Sequence, residues 1–112
     1  MTPIEEDPRF HQYASLMDDG RYFEAHETLE AFWLVAPQEQ RELLQGLVQV
    51  AVACEHRRRG NAAGARKVLA RARNRIGAAP GDAGAPWAPL LLRAAGHYIE
   101  GGASSLNFRF NP

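Results

Sequence analysis

Between Pro37 and Gly60 the chain places Leu43, Leu44, Leu47, Val48, Val50, Ala51, Val52 and Cys54 at positions that wrap more than half of a helix's circumference. A helix at the edge of a fold needs only one apolar stripe. One that is apolar on most sides must be covered by other elements. The spacing therefore predicts a central helix over about residues 38–59, with the rest of the chain arranged around it. Arg57, Arg58 and Arg59 close it, where cations complement the negative end of the helix dipole.

The surrounding segments read as further helices. Pro8 suits a first-turn position, and Phe10, Tyr13, Leu16 and Met17 follow on one face, up to a stop at Gly20. A second helix is predicted over about 21–35, with Tyr22, Ala25, Leu29, Phe32 and Trp33 repeating at three to four residues and Pro37 ending it. Gly60 and Asn61 punctuate the chain: glycine takes a left-handed turn and asparagine caps the next helix, about 62–76. In that helix Ala65, Val68, Leu69, Ala72 and Ile76 face inward, and Gly64 with the alanines predicts close approach to the central helix. Residues 77–86 are a Gly/Pro/Ala-rich loop, and a fifth helix is predicted over about 87–100. Residues 1–7 read as a flexible lead. Residues 103–112 read as an extended tail whose Leu106, Phe108 and Phe110 pack on the bundle or on a second subunit. The fold class is all-α: one domain over 1–112, a five-helix bundle built on an antiparallel hairpin of the second and third helices.

Charge adds little about partners overall and more about layout. Lys plus Arg and Asp plus Glu are equal at 13 each. Residues 1–50 hold ten acids and three bases, and residues 51–112 hold three acids and ten bases. Two oppositely charged halves packing together explain this better than a nucleic-acid partner, which usually brings a net positive balance. Arg57, Arg58 and Arg59 with Arg66, Lys67, Arg71, Arg73 and Arg75 then read as a solvated face pairing with Glu24, Glu27, Glu39 and Glu42. The lone Cys54 cannot form an internal disulfide and sits among apolar neighbours as a buried spacer, which fits a reducing, cytoplasmic setting. The acidic start MTPIEEDPRF lacks the apolar run of a signal peptide. No stretch approaches the roughly 18 apolar residues of a membrane span. Apolar helical faces and a spare aromatic tail together predict a homodimer.

Two segments are distinctive. One is Gly20-Arg21-Tyr22-Phe23-Glu24-Ala25-His26-Glu27-Thr28-Leu29-Glu30 with Trp33. The other is Gln45-Gly46-Leu47-Val48-Gln49-Val50-Ala51-Val52-Ala53 with His56, Arg59-Gly60-Asn61 and Gly64-Ala65. Together, over about residues 9–76, they resemble the family called domain of unknown function 309. The resemblance implies a small all-helical prokaryotic domain. It implies no activity, and it carries no catalytic residue over to this chain.

The residues themselves suggest where chemistry would reside. His26 and Glu30, four apart, share a helix face, and Gln45, Gln49, Val52 and His56 share another. A metal triad of His26, Glu30 and His56, with Glu27 as base, is weakened by the missing second histidine of the HExxH pattern. It is weakened again by hairpin register. If the helices pair across residues 36–38, partners sum to about 74, and His56 lies ~12 Å beyond His26 at 1.5 Å per residue. Gln45 and Gln49 fall level with Leu29 and Ala25, so the predicted polar cluster is His26, Glu30, Gln45 and Gln49, with His56 near Tyr22 and Arg21. No cofactor is expected and no metal ligand is assigned. Three functions stand open: a binding or interaction module for a partner or small polar ligand, a hydrolase using His26 with Glu27 or Glu30, and a nucleic-acid accessory role for the basic fourth helix.

Overall fold

The computed structural model describes residues 3–79 and 85–110. Its helices are α1 (Pro8–Asp18), α2 (Tyr22–Val35), α3 (Gln38–Arg58), α4 (Ala62–Ala78) and α5 (Ala88–Ile99). No strand occurs among the described residues. The bundle measures 38 × 25 × 25 Å.

As its apolar circumference requires, α3 is the axis. It packs most extensively on α4, then on α2, and also meets α5. Leu43, Leu44, Leu47, Val50, Ala51, Ala53 and Cys54 are all fully buried. Tyr13, also fully buried, ties α1 to the axis by donating its hydroxyl to the Leu47 carbonyl at 3.0 Å. Burial pushes the Tyr13 phenol far above its ordinary range, so the group stays a neutral donor.

The connections follow from local chemistry. Asp7 caps α1 by accepting from the Arg9 amide at 2.8 Å, with Pro8 in the first turn. The ends of α1 and α3 share one device. Gly20 (φ 75°) and Gly60 (φ 84°) take the left-handed conformation. The following amides, of Arg21 and Asn61, then reach back to the Leu16 and His56 carbonyls at 2.9 and 2.8 Å. Asn61 then turns to capping, and its Oδ1 accepts from the Gly64 amide at 3.0 Å.

Three expectations need correction. Within the expected flexible lead, Ile4–Glu6 form a 3-10 turn and Ile4, 3% exposed, enters the core, because burying that side chain outweighs the cost of fixing the turn. The expected 77–86 loop begins later, since Gly77 and Ala78 continue α4, and residues 80–84 lie outside the described residues. The glycine that brings α3 and α4 together is Gly46 rather than Gly64. A Cβ on Gly64 would first meet the Asn61 cap, whereas one on Gly46 would stand 2.5 Å from Ile76 Cγ1 and 3.3 Å from the Ala72 carbonyl oxygen. Of the two packings left open for the tail, it packs on its own bundle. The Phe110 ring lies 5.5 Å from Tyr13, 5.8 Å from Trp87 and 6.0 Å from Phe10.

Gly46→Val should therefore destabilise the fold by about 1–3 kcal/mol in urea unfolding. Adding Ile76→Ala should recover part of that loss. Simple addition of the two penalties would show that Ile76 is not what Gly46 accommodates.

Candidate functional site

The edge of α2 carries Phe23, His26, Glu30 and Trp33 at spacings of three, four and three, so they share one face. Contacts from α3 fix what lies opposite. The Arg41 guanidinium sits over the Trp33 ring at 5.8 Å, and that of Arg59 over Phe23 at 5.9 Å. On its other flank α3 meets α4: Glu42 pairs with Arg75 at 3.1 Å, and Gly46 faces Ile76 and Ala72. Between these two sets of contacts α3 presents Gln45, Gln49, Val52 and His56, all half-buried.

His26 is positioned from within its own helix. Its ring centroid lies 4.9 Å from that of Phe23, and its Nδ1 hydrogen-bonds the Phe23 carbonyl oxygen. A carbonyl only accepts, so Nδ1 must carry the proton, and in the neutral ring Nε2 is left with its lone pair. That Nε2 stands 3.8 Å from Glu30 Oε2, close enough to attract once protonated but too long for a hydrogen bond.

The predicted four-residue cluster is thus brought to one side of the hairpin, but it is not a closed network. Among the described residues no hydrogen bond runs from His26 or Glu30 to Gln45 or Gln49. The physical reason is competition. The Phe23 carbonyl lies one turn away and captures Nδ1, while the Glu30 side chain, 54% exposed, keeps its hydration instead of entering the interface. Gln49 Oε1 is buried without a hydrogen-bond partner among the described residues.

His56 goes elsewhere. Its Nδ1 accepts from Asn61 Nδ2 at 3.2 Å, so it braces the α3–α4 turn. Glu27 also leaves the group: it lines a neighbouring cleft of about 580 Å³ with Phe23, Glu24, Glu55, Arg58 and Arg59, which includes neither His26 nor Glu30. Among the described residues no three His, Cys, Asp or Glu side chains are grouped as a metal ion would need.

Glu55 was passed over in the sequence, although Arg58 and Arg59 follow it at helical spacings of three and four. Its side chain is only 11% exposed and receives Arg58 at 2.9 and 2.7 Å and Arg59 at 2.5 Å. The hydrogen bonds from Arg58, then those from Arg59, hold its carboxyl below the usual carboxylate range against the opposing effect of burial. The basic residues find other partners than those expected. Among the described residues, Glu42 is the one of the four anticipated glutamates that forms an ion pair with this basic set, through Arg75. Arg66 pairs with Glu100 at 2.8 Å, and Arg57 donates to the Tyr98 carbonyl at 3.1 Å. Cys54 is buried, which pushes its thiol up to about 12 and leaves it unreactive at neutral pH.

A family model described as Domain of unknown function (DUF309) matches residues 10–68. The chain belongs to that family. Its matched region contains α2, α3 and the start of α4, and so the whole face just described. The chain is also 46% identical over 50 residues to the Uncharacterized protein YpuF of Bacillus subtilis (strain 168), a stretch that covers 44% of this chain. The match takes in 29% of that relative, so the chain spans less than a third of its length. No solved structure matches the chain. No helix of the described residues is long and apolar enough to cross a membrane.

Glu55→Gln should lower stability by about 0.5–1.5 kcal/mol at neutral pH, the range for such hydrogen bonds, and toward its lower end because both arginines face solvent. A carboxyl lowered on folding stabilises above its unfolded pKa of about 4.3, and loses that contribution as pH falls through the lower folded value. The gap in urea midpoint between wild type and variant should close between about pH 5 and pH 2. A gap independent of pH would refute the ion pair as its source.

Proposed function

We propose that this domain is a cytoplasmic binding module with no chemistry of its own, and that it presents the His26, Glu30, Gln45 and Gln49 face to a polar ligand or partner. The observation that carries this is the state of His26: an imidazole locked in one tautomer by Phe23, with Nε2 held toward a hydrated carboxylate. Fixing a polar group in this way lowers the entropic cost of binding. The other distinctive residues are accounted for by the fold: Tyr22 and Ala25 by the core, Gly46 by the α3–α4 contact, and Gly60, Asn61 and His56 by the turn. His26, Glu30, Gln45 and Gln49 are not. The hydrolase reading would use the same free Nε2 as a base, but it loses Glu27 to the adjoining cleft. The cytoplasmic setting rests on the single unpaired thiol.

If this face serves binding rather than folding, its polar groups can be replaced at little cost. Glu30→Gln and Gln45→Ala should each change stability by less than about 0.5 kcal/mol. Gln49→Leu should leave it unchanged or raise it, because it removes an unpaired buried acceptor that costs about 1–3 kcal/mol. A loss of about 2 kcal/mol or more at any of the three, read by thermal unfolding, would make the face structural and sink the proposal.

A homodimer belongs to the same proposal. The tail no longer supports it, since Phe110 is satisfied within its own bundle. The support is the adjacent pair Leu34 and Val35 at the end of α2, 63% and 65% exposed. Sedimentation at about 50 micromolar should show a dimer, and Leu34→Glu should shift it to monomer. Wild-type protein that sediments only as monomer refutes it.

A further inference from the structure

α4 and α5 run antiparallel: Arg66 near the start of α4 pairs with Glu100 just past the end of α5, and Arg73 one level further along lies over Gly96. Between them is a cleft of about 570 Å³. Arg66, Arg73, Arg93 and His97 line it, with Leu69 and Ile99, each 2% exposed, contributing apolar surface. The one carboxylate in the lining, Glu100, is taken up by Arg66 at 2.8 Å. Arg73 and Arg93 form no ion pair among the described residues. Two guanidinium groups therefore share a concave site with no counter-charge of their own.

Backbone features set two of these groups in place. The Arg73 guanidinium lies along α5 at Gly96, where a Cβ would stand 2.8 Å from Arg73 Nη2 and push that side chain aside. His97 is placed by the end of its helix. Gly101 turns left-handed (φ 84°), the Gly102 amide donates to the His97 carbonyl at 2.9 Å, and Gly102 lies under the imidazole where any Cβ would overlap the ring. Gly96 and Gly102 thus leave room for side chains that line the cleft, and the cleft shares no residue with the α2/α3 face.

We propose that the α4/α5 cleft is an anion site for a compact dianion, namely inorganic phosphate or the phosphate monoester of a small molecule. A guanidinium offers parallel N–H donors in a planar fork that matches phosphate oxygens, and two forks match a doubly charged group. A nucleic-acid backbone fits less well, because several neighbouring arginines are paired with carboxylates: Arg75 is held by Glu42, and Arg58 and Arg59 by Glu55.

The test is a ¹H–¹⁵N NMR titration of the full chain at constant ionic strength. Separate arms use inorganic phosphate, glycerol phosphate and a short single-stranded oligonucleotide. Saturable shifts at Gly96, His97 and the Arg73 and Arg93 side chains are expected for one or both of the first two, and the tighter of these identifies the source. Arg73→Gln and Arg93→Gln should each weaken binding about tenfold or more, the value of a lost charge-assisted hydrogen bond. Arg71→Gln, exposed on the same helix, should leave it unchanged. Should Arg73→Gln fail to fold, the exposed Arg93 carries the test alone. The proposal is overturned if neither phosphate saturates by about 50 mM. It is also overturned if the variants bind like wild type, or if the oligonucleotide binds tighter with a steep salt dependence.

Discussion

Everything in this fold depends on the desolvation of α3. Seven of its apolar residues between Leu43 and Cys54 are fully buried, which no single neighbour could accomplish. Burying each of the leucine and valine side chains among them contributes about 1.5–3 kcal/mol, so leaving any face open would forfeit a large part of a small domain's stability. The other helices are arranged to prevent that. α2 and α4 flank the axis, α5 meets it alongside α4, and Tyr13 anchors α1 to the Leu47 carbonyl. The closest approach, at Gly46, exchanges roughly 1 kcal/mol of helix propensity for backbone-level contact with α4.

This central demand leaves two polar surfaces on the flanks of the bundle. On the α2/α3 side, α3 emerges from its apolar arc and shows Gln45 and Gln49, while α2 shows His26 and Glu30. On the α4/α5 side, two arginines stand beside a helix whose glycine makes room for one of them. The opposite charges of the two halves of the sequence do not simply cancel across the fold. Some pairs form, such as Arg75 with Glu42, while other arginines settle locally, as Arg58 and Arg59 do on Glu55. Of the arginines left without an ion pair among the described residues, Arg73 and Arg93 share the cleft between α4 and α5.

The helices and their ends were legible because they obey local rules. Pro8, Gly20, Pro37, Gly60 and Asn61 each act on dihedrals or amides within a few residues, and the structure places helix ends within about two residues of where they point. The register of the hairpin was legible only near its turn: Arg41 over Trp33 matches a pairing sum of 74, whereas Arg59 over Phe23 at the open end sums to 82. The candidate site was read less well. His26 has a partner within its own helix, which outcompeted the cross-helix amides, and His56 was claimed by Asn61. Spacing shows which residues share a face but not which of several acceptors a side chain will choose.

By itself, then, the sequence determined the all-helical class, the central helix, the order of elements and the family, because these follow from periodicity, turn residues and motif. Only the tertiary structure decided which glycine brings two helices together, where the aromatic tail packs, how the arginines are partnered and where cations are left without one. Those outcomes turn on contacts between residues distant in the chain, such as Gly46 with Ile76 and Arg73 with Gly96, and no local rule ranks one such contact above another.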